Sequence, residues 1–240
     1  MKFSTISNIG KFRDTNEDSY GNISKDGYDF FIVADGMGGH SDGELASSLA
    51  IDSFVDFIEK KDLEKYDNIV DFQNEAISFA NKIVFDLSFE KKEKMGTTIV
   101  CMCIDYENNQ YQISHVGDSR LYLIRDGKIS QITKDHSLLN ELLDSGALRE
   151  DEAKHFANKS AITRAVGISD KVKIESRSID FCKDDVILMV TDGLTNELDD
   201  EKIKDIVEKG NDVFDISTKL VDAANASGGR DNITVTTIKI

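Results

Sequence analysis

The spacing of apolar residues changes several times along the chain, and each change marks a new element. A short unbroken run, FFIVA (Phe30 to Ala34), predicts a buried strand that ends at Asp35. Beyond a glycine-rich turn, Leu45, Ala46, Leu49, Ala50, Phe54, Phe57 and Ile58 recur at three- and four-residue steps, which predicts an amphipathic helix. Ile69, Phe72, Ala76, Phe79, Ile83 and Leu87 predict a second helix with those side chains on one face. Then the period falls to two. TTIVCMCID, YQISHVG, RLYLIRDG and KISQIT predict consecutive strands joined by ENNQ, GDS and DG turns, short enough for a meander of antiparallel hairpins. SLLNELLDSG (Ser137 to Gly146) predicts a short helix stopped by its glycine, and the polar stretch up to Thr163 a surface excursion. Strands resume at KVKIESRSI and DVILMVT, helices are predicted over about 196–208 and 213–226, and NITVTTIKI closes with a strand. Two helices in each half around antiparallel strands imply layers of sheet covered by helices on both sides.

Composition narrows the class. The chain has 240 residues, 40% of them hydrophobic, enough for a well-buried core. With no proline, no low-complexity tract and no Gly/Ser-rich linker, nothing divides it, so a single domain over 1–240 is expected. MKFSTISNIGKF lacks the apolar core of a signal peptide and no run approaches membrane-spanning length, so a cytoplasmic protein without membrane insertion is expected. A formal net charge of −16 argues against nonspecific binding to nucleic acid or to anionic membranes, both of which reward Lys/Arg patches. Segments such as EKKDLEKYD and LREDEAKH read as solvated faces. Cys101 and Cys103 alternate within one strand, so they share a face and read as half-buried core, and the three cysteines are expected as reduced thiols.

Candidate chemistry lies in five acidic motifs: RDTNEDS (Arg13 to Ser19), VADGMGG (Val33 to Gly39), VGDSR (Val116 to Arg120), VTDGL (Val190 to Leu194) and GGRDN (Gly228 to Asn232). Each puts Asp at the end of an apolar run or inside a glycine-rich turn, which is how a chain aims carboxylates at one point. Convergence has a cost: at an effective dielectric near 20 and about 5 Å, each carboxylate pair repels by roughly 3 kcal/mol. A divalent cation reverses that sign, and an all-oxygen donor set suits Mg²⁺ or Mn²⁺, whereas the dispersed histidines and cysteines form no zinc pattern. Some features read more simply. Asp26-Gly27 and Asp126-Gly127 are hairpin turns, Asp118 taken alone could be a turn residue, and His115 and His136 read as structural. Thr97 and Thr98 read as the start of a strand beneath the site.

With all five motifs in this order, the chain resembles the metal-dependent Ser/Thr protein phosphatases of type 2C in their compact bacterial form, over essentially its full length. The resemblance implies an α+β fold, a four-layer α/β/β/α sandwich of two mainly antiparallel sheets flanked by helix pairs, with a binuclear metal centre at one end. Carried onto these residues, it makes Asp35 the carboxylate that bridges two Mn²⁺ or Mg²⁺ ions, with the Gly36 carbonyl as a further ligand. Asp192 and Asp231 resemble ligands of the first ion. The Glu17-Asp18 pair serves the second, directly or through water, and which neighbour does so stays open. Asp118 matches a position that holds, with Asp192, a third and weaker ion. Asn232 orients its neighbour or a water, and Arg13 matches the family's phosphate-binding arginine, whose planar guanidinium fits two oxygens at once. The segment at about 139–167 resembles a flap beside the active site, which makes Ser160 a candidate for substrate contact, together with His40 near the metal turn.

The resemblance further implies hydrolysis without a phosphoenzyme: two cations lower the pKa of a bridging water, which attacks phosphorus directly. The expected substrates are phosphoserine and phosphothreonine in proteins, the expected counterpart is a bacterial Ser/Thr kinase, and the expected state is a monomer. Many eukaryotic members carry His directly after the Asp-Gly as a proposed acid, whereas Met37 stands here and cannot donate a proton. That leaves a water on the Asp118 ion, or less favourably His40, as proton donor. Two other readings compete: a catalytically silent, phosphatase-like binding module, and an acidic cation buffer. The intact acid set disfavours the first and the ordered motifs disfavour the second.

Overall fold

The computed structural model describes residues 1–39, 42–153, 156 and 161–240. One sheet takes the order β2 (Asp18–Lys25), β3 (Tyr28–Met37), β5 (Ile99–Asp105), β6 (Gln110–Val116), β9 (Glu175–Asp180), with the two-residue β4 (Gly96–Thr97) on the end of β3. The other runs β1 (Lys2–Asn8), β11 (Ile233–Lys239), β10 (Val186–Val190), β7 (Arg120–Arg125), β8 (Lys128–Gln131), and neighbouring strands in both sheets are antiparallel. Helices α1 (Asp42–Lys60) and α2 (Ile69–Lys91) cover the first sheet, and α6 (Asp200–Glu208) and α7 (Val213–Ser227) the second. Short helices α3 (Leu138–Asp144), α4 (Glu150–Ala153) and α5 (Asp192–Thr195) lie in connections. This is the α/β/β/α sandwich that the sequence implied.

Three apolar layers hold it together, and alternation within single strands feeds them. Along β3, Phe30, Ile32 and Ala34 face α1 and α2 while Phe31 and Val33 face the second sheet. Along β10, Val186, Leu188 and Val190 face α6 and α7 while Ile187 and Met189 face the first sheet. Strands buried on both faces read as unbroken apolar runs, which is why FFIVA and VILMV carry no polar alternation. Cys101 and Cys103 are fully buried against the helix layer, not half-buried, because β5 is central in its sheet. Both Asp-Gly pairs close hairpins as expected, with Asp26 at φ 51°, Gly27 at 85°, Asp126 at 51° and Gly127 at 70°, the two-residue left-handed turn that matches strand twist.

Five further expectations need correction. Strand β3 does not stop at Asp35 but runs through Gly36 to Met37, where it pairs with β4. The GDS turn is not a hairpin: β6 belongs to one sheet and β7 to the other, so Gly117, Asp118 and Ser119 form a crossover between sheets. On α2, the inward face is Phe72, Gln73, Ala76, Ile77, Ala80, Asn81 and Val84, while Phe79 is 39% exposed. Buried Gln73 and Asn81 hid that seam; Gln73 donates to the Cys101 carbonyl, and Asn81 donates to the Ser169 carbonyl and accepts from Gly167 N–H. The helix predicted over 196–208 starts only at Asp200, as α6, capped by Asp199 accepting from Lys202 N–H, while the preceding turn of helix, α5, lies before the predicted range. Finally, KVKIESRSI is strand only from Glu175 onward.

Candidate active site

Four carboxyls meet at one end of the two sheets because the chain enters or leaves a strand there. Asp18 opens β2 and lies opposite Asp35 in the ladder with β3. Asp118 sits in the β6–β7 crossover, and Asp192 follows β10 at the start of α5. Asp231, two residues before β11, adds a fifth at the rim. Asp18 reaches across to the second sheet, where its Oδ2 accepts from Thr191 Oγ1 at 2.9 Å and Thr234 Oγ1 at 2.7 Å.

The surrounding charge is felt at Asp18, Asp35, Asp118 and Asp192. Burial drives the Asp35 carboxyl well above its ordinary value, and Asp18, Asp192, Asp118 and Asp231 push it further. Burial raises Asp18 to about 7 against the two threonine hydrogen bonds, and raises Asp118, helped by Asp192, to about 7. Asp192 moves up for the same reasons, burial first and then Asp231, with Asn196 Nδ2 donating to its Oδ2 at 3.0 Å in opposition. Asp18 Oδ1 and Asp118 Oδ1 are buried with no hydrogen-bond partner among the described residues. Orphaned carboxylate oxygens beside mutually repelling carboxyls fit a hard divalent cation, which supplies both the missing partner and the missing positive charge.

The scaffold beneath is specific. Asp35 N–H donates to Thr98 Oγ1, and its carbonyl accepts from Thr97 Oγ1 and Thr98 N–H, so the pair expected as strand residues grips the Asp35 backbone. Gly36 N–H donates to the Glu17 carbonyl, and a Cβ at Gly36 would lie 2.0 Å from the Gly43 carbonyl oxygen and 2.7 Å from that of Glu17. Gly36→Ala is therefore expected to cost about 3 kcal/mol by overpacking, read as a lower urea midpoint at unchanged slope; an unchanged midpoint would contradict this packing. The Glu17 carboxylate lies against Gly43 at the start of α1, and burial raises it while Arg13 opposes. Thus Asp18 faces the sheet interior and Glu17 the rim.

Asn232 joins the two chain ends. Its Oδ1 accepts from Glu17 N–H at 2.8 Å, its Nδ2 donates to the carbonyls of Ile9 and Thr15, and its own N–H donates to Asp231 Oδ1. Arg13 Nη2 pairs with Asp231 Oδ2 at 2.8 Å, leaving the guanidinium 48% exposed toward the rim. Beside Asp118 and Asp192 opens a cavity of about 730 Å³, lined also by Asn140, Phe156, Arg177 and Asn196. His40 and Ser160 lie outside the described residues. Sequence reasoning missed Thr191 and Thr234 as the hydroxyls that hold Asp18; the only signal was their place next to or near the acidic motifs.

A second cluster, His115, His136 and Glu175, brings three ligand atoms within 4.8 Å of one another. Its rings stack at 4.6 Å with 13° between planes. Lone pairs of imidazole lie in the ring plane, so two nearly parallel rings cannot aim at one ion, and the group is a structural stack.

This fold and this acidic end define a class. The family described as Protein phosphatase 2C matches residues 13–231, and the chain belongs to that family; it is a protein phosphatase. Among particular relatives, it is 33% identical over 243 residues to Protein phosphatase PhpP of Streptococcus pneumoniae, covering 100% of this chain and 98% of that protein. The solved S. agalactiae serine/threonine phosphatase matches with a TM-score of 0.92 at 32% identity, covering 100% of this chain and 99% of that one. The catalytic domain of serine threonine protein phosphatase PstP, solved in complex with two manganese ions, matches at 0.83 and 29% identity, covering 98% and 96%.

Proposed function

We propose that the chain removes phosphate from phosphoserine and phosphothreonine in proteins, opposes a Ser/Thr kinase, and works as a cytoplasmic monomer with two Mn²⁺ or Mg²⁺ ions and a weaker third. The observation that carries the reading is the pair of orphaned, buried oxygens on Asp18 and Asp118 within a set of raised carboxyls. In it, Asp35 would serve two ions with the Gly36 carbonyl as a further ligand, Asp192 and Asp231 would hold the first ion, Glu17 and Asp18 would serve the second, directly or through water, and Asp118 with Asp192 would hold the third. When bound, the ions lower the pKa of a water and neutralise charge on the phosphoryl oxygens.

The chain's own groups do the rest. Arg13, tethered by one Nη to Asp231, keeps its remaining donors free to meet two phosphate oxygens at the rim. Asp231 gains a partner in return, so the arginine is poised before substrate arrives. Asn232 fixes the backbone between Arg13 and Asp18 and so sets the distance from the phosphate clamp to the acids. The 730 Å³ cavity beside Asp118 would receive the peptide flanking the phosphorylated residue. No helix of the described residues is long and apolar enough to cross a membrane.

Phosphate release from a phosphothreonine peptide, with and without Mn²⁺, is the test. Release that requires the ion supports the reading, while Mn²⁺ binding without release would favour a silent binding module. Arg13→Lys is expected to raise KM about tenfold with a smaller loss of kcat, because a point charge replaces a two-pronged contact. An unchanged KM would remove Arg13 from the phosphate site.

A further inference from the structure

We propose that His136 is a positioning residue, whose Nδ1 and backbone clamp Gly117 from both sides and so fix the Asp118 crossover to the segment at 161–166. Gly117 N–H donates to His136 Nδ1 at 3.1 Å, and His136 N–H donates to the Gly117 carbonyl at 2.9 Å. An N–H donor on Nδ1 requires a lone pair there, so the ring proton sits on Nε2, which faces Glu175 Oε2 at 3.4 Å. Its neighbour is set the same way: His115 Nε2 lies 2.9 Å from the Lys134 carbonyl, which can only accept. Burial, and after it the neighbouring charges of His115 and Arg164, push His136 down to about 4.

The clamp acts where the backbone has no alternative. Gly117 has φ 104°, and a Cβ there would lie 2.6 Å from Thr98 Cγ2, so the crossover is pressed against the threonine that grips Asp35. Ser119 Oγ and Thr98 Oγ1 are 2.7 Å apart on its far side. The His136 carbonyl accepts from Thr163 N–H at 2.8 Å, Leu138 N–H donates to the Ala161 carbonyl, and Thr97 exchanges two backbone bonds with Val166. One residue therefore links the crossover bearing Asp118, with its orphaned oxygen, to the base of the segment that borders the cavity. A packing role alone would need the ring's bulk; positioning needs the acceptor at Nδ1.

The test separates these. Asn places an oxygen near the Nδ1 position, whereas Gln places its polar end near Nε2, so His136→Asn keeps the clamp and His136→Gln loses it at comparable bulk. Two readouts are direct: amide hydrogen exchange of Gly117 in the metal-free protein, and Mn²⁺ affinity by calorimetry. His136→Gln is expected to speed Gly117 exchange and to weaken the weakest Mn²⁺ site, each by about tenfold, the size of one lost buried hydrogen bond, with His136→Asn within about threefold of wild type. In turnover, Gln should lower kcat at fixed Mn²⁺ more than it raises peptide KM. Equal effects of Asn and Gln on exchange, or wild-type exchange and Mn²⁺ affinity in Gln, would overturn the proposal. The metal effect rests on the reading of Asp118 as a cation ligand. Altered exchange in Gln with unaltered Mn²⁺ affinity would refute the coupling to Asp118, and a wild type that releases no phosphate would sink the phosphatase mechanism while exchange still decides the clamp.

Discussion

Asp35→Asn is expected to lower Mn²⁺-dependent phosphate release by about 10³-fold or more, some 4 kcal/mol of transition-state stabilisation, while raising the melting temperature of the metal-free protein. Both effects have one cause. Asp35 is the acid on which the others converge, with Asp18, Asp192, Asp118 and Asp231 all acting on it. Without a cation, burial and the neighbouring acids push its carboxyl well above its ordinary value, and that shift subtracts from stability. Asparagine has the same shape and no charge, so it relieves the cost while removing the ligand that the proposed centre shares between two ions. A relief of one to two kcal/mol corresponds to about 3–6 °C in a chain of this size. The measurements are turnover of a phosphothreonine peptide over a Mn²⁺ series and thermal melts with chelator. Activity within tenfold of wild type at saturating Mn²⁺ would refute the role given to Asp35, and a lower melting temperature without metal would refute the account of repulsion.

A second large effect is expected in the pH dependence of stability. Asp18 and Asp118 stand at about 7 in the folded chain against 3.8 for a free carboxyl, so between these values the folded state binds more protons than the unfolded one. Stability of the metal-free protein therefore falls as pH rises through that window and levels off above it. At 1.36 kcal/mol per pH unit, a shift of the size seen at Asp118 corresponds to roughly 4 kcal/mol over the full interval. His115 and His136 act oppositely, since burial lowers theirs and favours folding as pH rises toward 6.5. Above 6.5 the imidazoles no longer contribute, whereas Asp18 and Asp118, at about 7, still titrate. Chelated protein should melt lower at pH 7.5 than at pH 5.5. Because the ion binds deprotonated ligands, Mn²⁺ should raise the melting temperature more at pH 7.5 than at pH 5.5. A chelated protein that is more stable at pH 7.5, or an Mn²⁺ increment independent of pH, would show that the acids are not coupled in this way.

The protein's local grammar is plain in its residues. Period-3.6 stripes mark α1 and α7, and unbroken apolar runs mark β3 and β10. Asp-Gly pairs mark the two hairpins because only left-handed backbone closes a two-residue turn between twisted strands. The five acidic motifs are equally visible, since Asp at a strand end is a short-range pattern. Their family order carried the fold and the phosphatase class, which the comparisons bear out.

Other features depend on partners far away in the chain. Strands β6 and β7 are buried on both faces, so periodicity cannot say whether GDS folds back or crosses to another sheet, and the crossover alone brings Asp118 beside Asp192. On α2, Gln73 and Asn81 occupy core positions that polarity assigns to the surface, because their partners are backbone groups of distant segments. Thr191 and Thr234 find Asp18 across 173 and 216 residues, and Asn232 finds Glu17 across 215. Sequence by itself determined which side chains are acidic, where the apolar runs lie and which family this is, since those are properties of short segments and their order. Only the tertiary structure decided which oxygens are left without partners and which backbone each polar group holds, because burial and hydrogen bonding exist only once the two sheets have closed on each other.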